Sequence, residues 1–251
     1  MSLHRCCPRW FFVPAPTLLA FDTATETCSV ALARGGEVIE RAAQVGQRHS
    51  EHVLPMAQGL LAEAGVTLAQ LDAVAFGAGP GSFTGLRIAC GVAQGLAYGI
   101  ERPVVPVGNL AALALQASVL APEARRIVAA IDARMNEVYW AVYDVRDGDP
   151  VEVVGPSLAA AAQLPSLLTP LAPDTLAGEA AAVFAAALDA VPVARRLTQA
   201  AAGAGTIAAL ARLAFARGAV VPPALAAPVY VRDRVAQTID ERQAARAAPV
   251  A

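Results

Sequence analysis

Residues 77–99 read GAGPGSFTGLRIACGVAQGLAYG. The first half of this stretch is a glycine-rich loop, with Gly77, Gly79, Gly81 and Gly85 around Pro80, and with Ser82 and Thr84 where a helix N-cap is expected. The second half predicts a helix with an unusual stripe: Gly91, Gly95 and Gly99 recur every four residues, and so do Gly85, Ala89, Ala93 and Ala97. A glycine inside a helix costs about 1 kcal/mol relative to alanine. Three on one stripe require a reason, and close approach of another backbone is the usual one. The stretch predicts a helix built to be touched by something tightly packed.

Upstream, TLLAFDTATETCSVALARGGEVIERAAQ from Thr17 predicts a strand at Leu18–Phe21, a second at Cys28–Arg34, a Gly35-Gly36 turn and a third strand at Glu37–Gln44. In HSEHVLPMAQGLLAEAG, Val53, Leu54, Ala57, Leu60, Leu61 and Ala64 fall at helical spacing, and Gly65 stops the run. Leu71–Gly77 and Pro103–Val107 read as strands, and Gly108 or Asn109 opens another helix. The pattern then returns. RIVAAIDARMNEVYWAVYDVRDGDPVEVV, residues 126–154, is again strand, polar turn, strand, turn, strand, with Asp132 standing where Asp22 stands in the first copy. Two copies about 110 residues apart point to a duplicated architecture. Leu158–Leu188 reads only as short helices with loops, and Thr206–Arg217 as an amphipathic helix closed by Gly218. Residues 1–16 are expected to be a disordered extension, and residues after about 240 a frayed tail.

Composition narrows the function. Formal charge is −2, so there is no global electrostatic case for nucleic-acid binding, and all 19 basic residues are arginines. The charge-free stretches 103–122 and 153–173 are interrupted by prolines, so no spanning helix is expected. Cys28 and Cys90 fall inside a predicted strand and helix, Cys6 and Cys7 in the N-terminal extension, and no Cys/His metal spacing appears. A reducing cytoplasm fits this usage.

FDTATETCSVAL, HSEHVLP, GPGSFTGLRIACGVAQGLAYG, DARMNEVY and the late Pro228-x-Tyr230-x-Arg232 together resemble the bacterial TsaB (YeaZ) family, over about Leu18 to Arg234. The resemblance implies an α/β fold: the two-lobed, actin-like (ASKHA, ribonuclease-H-like) ATPase architecture, with a duplicated mixed sheet flanked by helices. On that reading residues 17–107 with a returning helix 206–217 form a first lobe, 108–205 a second, and 218–251 a C-terminal segment and tail. It also implies a non-catalytic, cytoplasmic paralogue of the TsaD subunit, working with the small ATPase TsaE. That complex transfers a threonylcarbamoyl group from threonylcarbamoyl-adenylate to a tRNA adenosine. The implied partners are a TsaD-type catalytic subunit, a TsaE-type ATPase and, in isolation, a second copy of the chain. tRNA would be met only through the complex, and no membrane is involved. No cofactor is required by the chain alone; ATP or ADP with magnesium belongs at the interface of the complex.

The motifs read as chemistry leave named alternatives. The loop at 77–85 is either a tight turn serving an interface or a backbone cradle for phosphate, although it lacks the P-loop ending. Arg87 is an interface ion-pair partner or an anion ligand. The partner surface is expected at His49, His52, Val53, Met56 and Leu60 of one helix, at Pro80, Gly81, Ser82, Phe83 and Thr84 of the loop, and at Arg87, Ile88, Gly91, Val92 and Gly95 of the striped helix. Both helices are also needed to cover their own sheet. Asp22, Thr23 and Thr25 occupy the turn where actin-like ATPases hold phosphate and metal, or else satisfy their own backbone. His49 and His52, three apart, are either helix-start polar residues or a metal pair lacking a third ligand nearby; a catalytic residue is not expected. Asp132, Arg134, Glu137 and Tyr139 form a polar turn of open role. The rival function is a self-sufficient actin-like ATPase or a glycoprotease-like metal hydrolase; a second rival is an independent homodimeric binding module unrelated to tRNA.

Overall fold

The computed structural model describes residues 15–232. Cys6, Cys7, nearly all of the N-terminal extension and the tail after residue 240 lie outside the described residues. LLAFD, residues Leu18–Asp22 (β1), is buried at every position because both faces of its sheet are covered. Alternation along the strand sends Leu19 and Phe21 into one core and Leu18 and Ala20 into another on the opposite face.

β1 pairs antiparallel with Thr27–Arg34 (β2), which pairs antiparallel with Glu37–Gln44 (β3). On its other side β1 runs parallel to Ala73–Gly79 (β4), and β4 to Val104–Gly108 (β5), giving the order β3-β2-β1-β4-β5. Helix His49–Glu63 (α1) follows β3, Phe83–Gly99 (α2) follows β4 and Asn109–Leu120 (α3) follows β5. The second half repeats the scheme. Strands Arg126–Asp132 (β6), Glu137–Arg146 (β7), Asp149–Ala160 (β8), Thr175–Ala177 (β9) and Arg195–Leu197 (β10) pair in the order β8-β7-β6-β9-β10. Its helices are Leu164–Leu168 (α4), Ala180–Val183 (α5), Ala185–Leu188 (α6) and Ala204–Ala216 (α7). The duplicated mixed sheet expected from the sequence is therefore present in an α/β fold of the actin-like type.

Two details differ from the sequence reading. The second half contains β9 and β10, three residues each, which are too short to show a period of two. Helix α7 opens at Ala204, two residues before the expected start, because Gly203 and not Thr206 is the N-cap; the Gly203 N–H donates to Thr206 Oγ1 at 3.2 Å. The helices are shared between the halves. Leu110, Leu113, Ala114 and Ala117 of α3 pack with Ile127, Ala129 and Ala141 of the second sheet, whereas Ile207, Ala208 and Ala211 of α7 pack with Leu18, Ala20 and Ala31 of the first.

Candidate functional site

Parallel strands β1, β4 and β5 end side by side, and the turn after β1 meets the glycine loop after β4. Four hydrogen bonds join them. The Ser82 N–H donates to the Ala24 carbonyl at 2.8 Å, and the Thr23 hydroxyl to the Gly85 carbonyl at 2.7 Å. Asn109, at the start of α3, donates from Nδ2 to Asp22 Oδ1 at 2.9 Å and accepts from the Gly79 N–H at 2.7 Å. Ser82 is the N-cap of α2, with its Oγ accepting from Gly85 N–H, while Thr84 lies inside the helix. The close fit explains the glycines: a Cβ on Gly77 would come within 2.7 Å of Asp22 Oδ1, and one on Gly85 would overlap the Thr23 carbonyl oxygen.

This packing decides what Asp22, Thr23 and Thr25 can do. Asp22 is 2% exposed, and burial pushes its carboxyl up to about 6 against the pull of its hydrogen bonds to Ala24 and Asn109. Thr23 is fully buried with its hydroxyl committed to Gly85, and Thr25 Oγ1 accepts from the Thr27 N–H within its own turn. A nucleotide phosphate with magnesium would need a charged carboxylate open to water and free hydroxyl donors. In this arrangement Asp22 and Thr23 are engaged in holding the turn to its neighbours, while Thr25 is bonded within its own turn.

The two small-residue stripes of α2 point in opposite directions. Gly85, Ala89, Ala93 and Ala97 are buried and let the helix lie close on its own sheet. Gly91, Gly95 and Gly99 face solvent, and a Cβ built on any of them meets nothing within 4 Å. With Thr84 and Arg87 they form an exposed stripe along the helix; Ser82 and Phe83 are exposed beside it and Gly81 is half-buried. Ile88, Val92 and Met56 are half-buried, their inner sides packed on the core. Other residues expected at a partner surface are placed inward: His49, Val53 and Leu60 are buried because α1 must turn that face to the sheet, and Pro80 is buried in the loop after β4. The outer side of α1 shows Leu54, 42% exposed, which the sequence reading had counted with the core face.

His49 is 4% exposed, and burial holds its imidazole below the usual range. Nδ1 of His49 and Nε2 of His52 are enclosed without a hydrogen-bond partner, yet among the described residues no three His, Cys, Asp or Glu side chains group as a metal site would require.

The segment after α7 also reaches this site. Gln94 Nε2 donates to the Ala226 carbonyl at 2.9 Å, and the Val229 N–H to the Ala78 carbonyl at 2.7 Å. Arg87 Nε donates to Tyr230 Oη at 2.9 Å, with its guanidinium 3.8 Å above the Phe83 ring. The Pro228-x-Tyr230-x-Arg232 spacing was the available signal, since it places alternate side chains on one side of an extended segment. In the polar turn of the second half, Asp132 accepts from the Arg134 N–H at 2.7 Å and Glu137 meets Arg232 at 2.8 Å.

A family model described as TsaD, tRNA N6-adenosine threonylcarbamoyltransferase, matches residues 32–245. The tRNA threonylcarbamoyladenosine biosynthesis protein TsaB of Haemophilus influenzae is 53% identical over 124 residues, 49% of this chain and 52% of that protein. TsaB of Escherichia coli is 49% identical over 126 residues, 50% of this chain and 54% of that protein. The match thus spans about half the length of these curated relatives. Among solved structures, YeaZ from Pseudomonas aeruginosa aligns with a TM-score of 0.77 at 39% identity, covering 86% of this chain and 99% of that one. With its duplicated sheets, its glycine-striped α2 and these relatives, the chain belongs to the TsaB/YeaZ family.

Proposed function

We propose that the chain is a non-catalytic scaffold subunit in the synthesis of tRNA threonylcarbamoyladenosine in the cytoplasm. It docks a TsaD-type catalytic subunit through the outer faces of α2 and α1, and the assembled pair recruits a TsaE-type ATPase. The observation that carries this reading is the open Gly91-Gly95-Gly99 stripe, since glycines kept on a solvent-facing helix stripe have no role inside the chain. A partner helix can approach such a stripe nearly backbone to backbone, and a buried area of roughly 1,200–2,000 Å² suffices for stable association. The activating effect is differential binding: the scaffold holds the catalytic subunit in its competent arrangement. A second copy of the chain would use the same stripe in the absence of the partner. tRNA is reached through the complex, in keeping with the net charge of −2.

The internal commitment of Asp22 and Thr23 supports the non-catalytic part of the reading. ATP or ADP with magnesium is then a matter for the assembled interface. Reconstitution with each subunit omitted in turn tests the proposal: modified adenosine should require this chain, while the chain alone should show no ATP turnover and no tight ATP–magnesium binding by calorimetry. Turnover by the isolated chain would replace this reading with the rival enzyme, and full modification without it would refute the scaffold role.

A further inference from the structure

The segment Ala226–Arg232 touches both halves of the molecule in succession. In the first half it receives hydrogen bonds from Gln94 and Cys90 of α2 at the Ala226 carbonyl, donates from the Val229 N–H to the end of β4, and places the Tyr230 ring 5.5 Å from that of Phe83 at the start of α2. A Cβ on Gly79 would lie 2.7 Å from the Val229 carbonyl oxygen, so the segment is seated directly on the glycine loop. Two residues after Tyr230, Arg232 crosses to the second half. Its guanidinium reaches the Ala133 carbonyl at 2.8 Å, Glu137 Oε2 at 2.8 Å and the Met135 sulfur at 3.3 Å.

The turn grasped by Arg232 has an uncommon backbone. Arg134, Met135 and Asn136 have φ of 63°, 57° and 60°, three consecutive non-glycine residues in the left-handed region. Side chains disfavour that region, and a run of three persists only when its surroundings hold it. Met135 is 70% exposed, so packing of its side chain supplies little of that hold. The turn closes on itself through the Ala133 N–H to the Glu137 carbonyl at 2.9 Å and the Glu137 N–H to the Arg134 carbonyl at 3.0 Å, and Arg232, with its side chain 15% exposed, adds one planar group that reaches its start, middle and end.

We propose that Ala226–Arg232 is a clasp that fastens the second-half turn 133–137 to the N-terminal end of α2, so that a disturbance at one end is felt at the other. The coupling is mechanical: Tyr230 and Arg232 are two residues apart on one extended segment, and the first is anchored on Arg87 and Phe83 while the second holds the turn. A protein seated on the exposed Phe83 and Arg87 would press on the same segment. The clasp lies wholly within the chain and is the same whichever partner binds.

Hydrogen–deuterium exchange of the full chain, read on peptides spanning 79–90 and 133–137, tests the clasp. Arg232→Ala removes charge-assisted hydrogen bonds and should speed exchange in 133–137 by roughly three- to tenfold, with a rise in 79–90 as well. Tyr230→Phe deletes only the hydroxyl bonded to Arg87 in the first half, yet it should speed exchange in 133–137 by about twofold or more. Unchanged exchange in 133–137 for Tyr230→Phe would overturn the proposal, because the two ends would then move independently. Should Arg232→Ala fail to fold, the Tyr230→Phe comparison decides alone.

Discussion

Replacing Gly91 and Gly95 together by alanine separates what α2 needs to fold from what it needs to associate. A Cβ at either position meets nothing within 4 Å, so the added methyls enter open space. Each substitution removes the helix-interior cost of glycine, about 1 kcal/mol, so the pair should stabilise the isolated chain by about 2 kcal/mol. For a chain of this size 1 kcal/mol moves the melting temperature by about 2–4 °C, giving an expected rise of about 4–8 °C. Association should move the opposite way. A methyl inserted where two backbones touch forces them apart at about 1–3 kcal/mol, so affinity for the catalytic partner, or for a second copy, should fall roughly tenfold or more. Thermal unfolding of dilute protein reads the first effect, and sedimentation with titrated partner reads the second. A variant that gains stability but associates as tightly as the parent would refute the contact role of the stripe. A variant that gains no stability would show that something within the chain already uses that face.

Gly85→Ala should behave in the opposite manner, costing about 3 kcal/mol or more in urea unfolding, because the new Cβ would overlap the Thr23 carbonyl and part the turn from the loop; a cost under about 1 kcal/mol would contradict that packing. Asp22→Asn tests the buried carboxyl. Its folded pKa of about 6 lies above the unfolded value of 3.8, so the folded state holds the extra proton between them and this group's contribution to stability falls as pH rises from about 4 to about 6. The difference between parent and variant across that window should approach about 3 kcal/mol, and a pH-independent difference would show that the carboxyl is not desolvated.

Periodicity disclosed the large elements and missed the small ones. The apolar spacing in α1 and the Gly35-Gly36 turn between β2 and β3 are local signals, legible within fifteen residues. β10, with the sequence RRL, carries no such signal and exists because β9 offers it a parallel partner. At the candidate site the glycines of α2 were visible, but not which stripe faced outward, since that depends on where the sheet lies. The bonds that fix the rest join residues distant in sequence: Asp22 to Asn109, and Arg87 to Tyr230. His49, Val53 and Leu60 illustrate the reverse problem. Their spacing marks an apolar helix face, and only the fold shows that this face belongs to the chain's own core.

The crossed seating of α3 and α7 has a structural corollary for the repeat itself. Each copy lends its final helix to the other's sheet, so neither copy encloses its own interior. Cut in the connection between α3 and β6, the chain would yield one fragment whose sheet lacks α7 and another whose sheet lacks the α3 face carrying Leu110, Leu113 and Ala117. The two pieces would complete each other's walls only when brought back together.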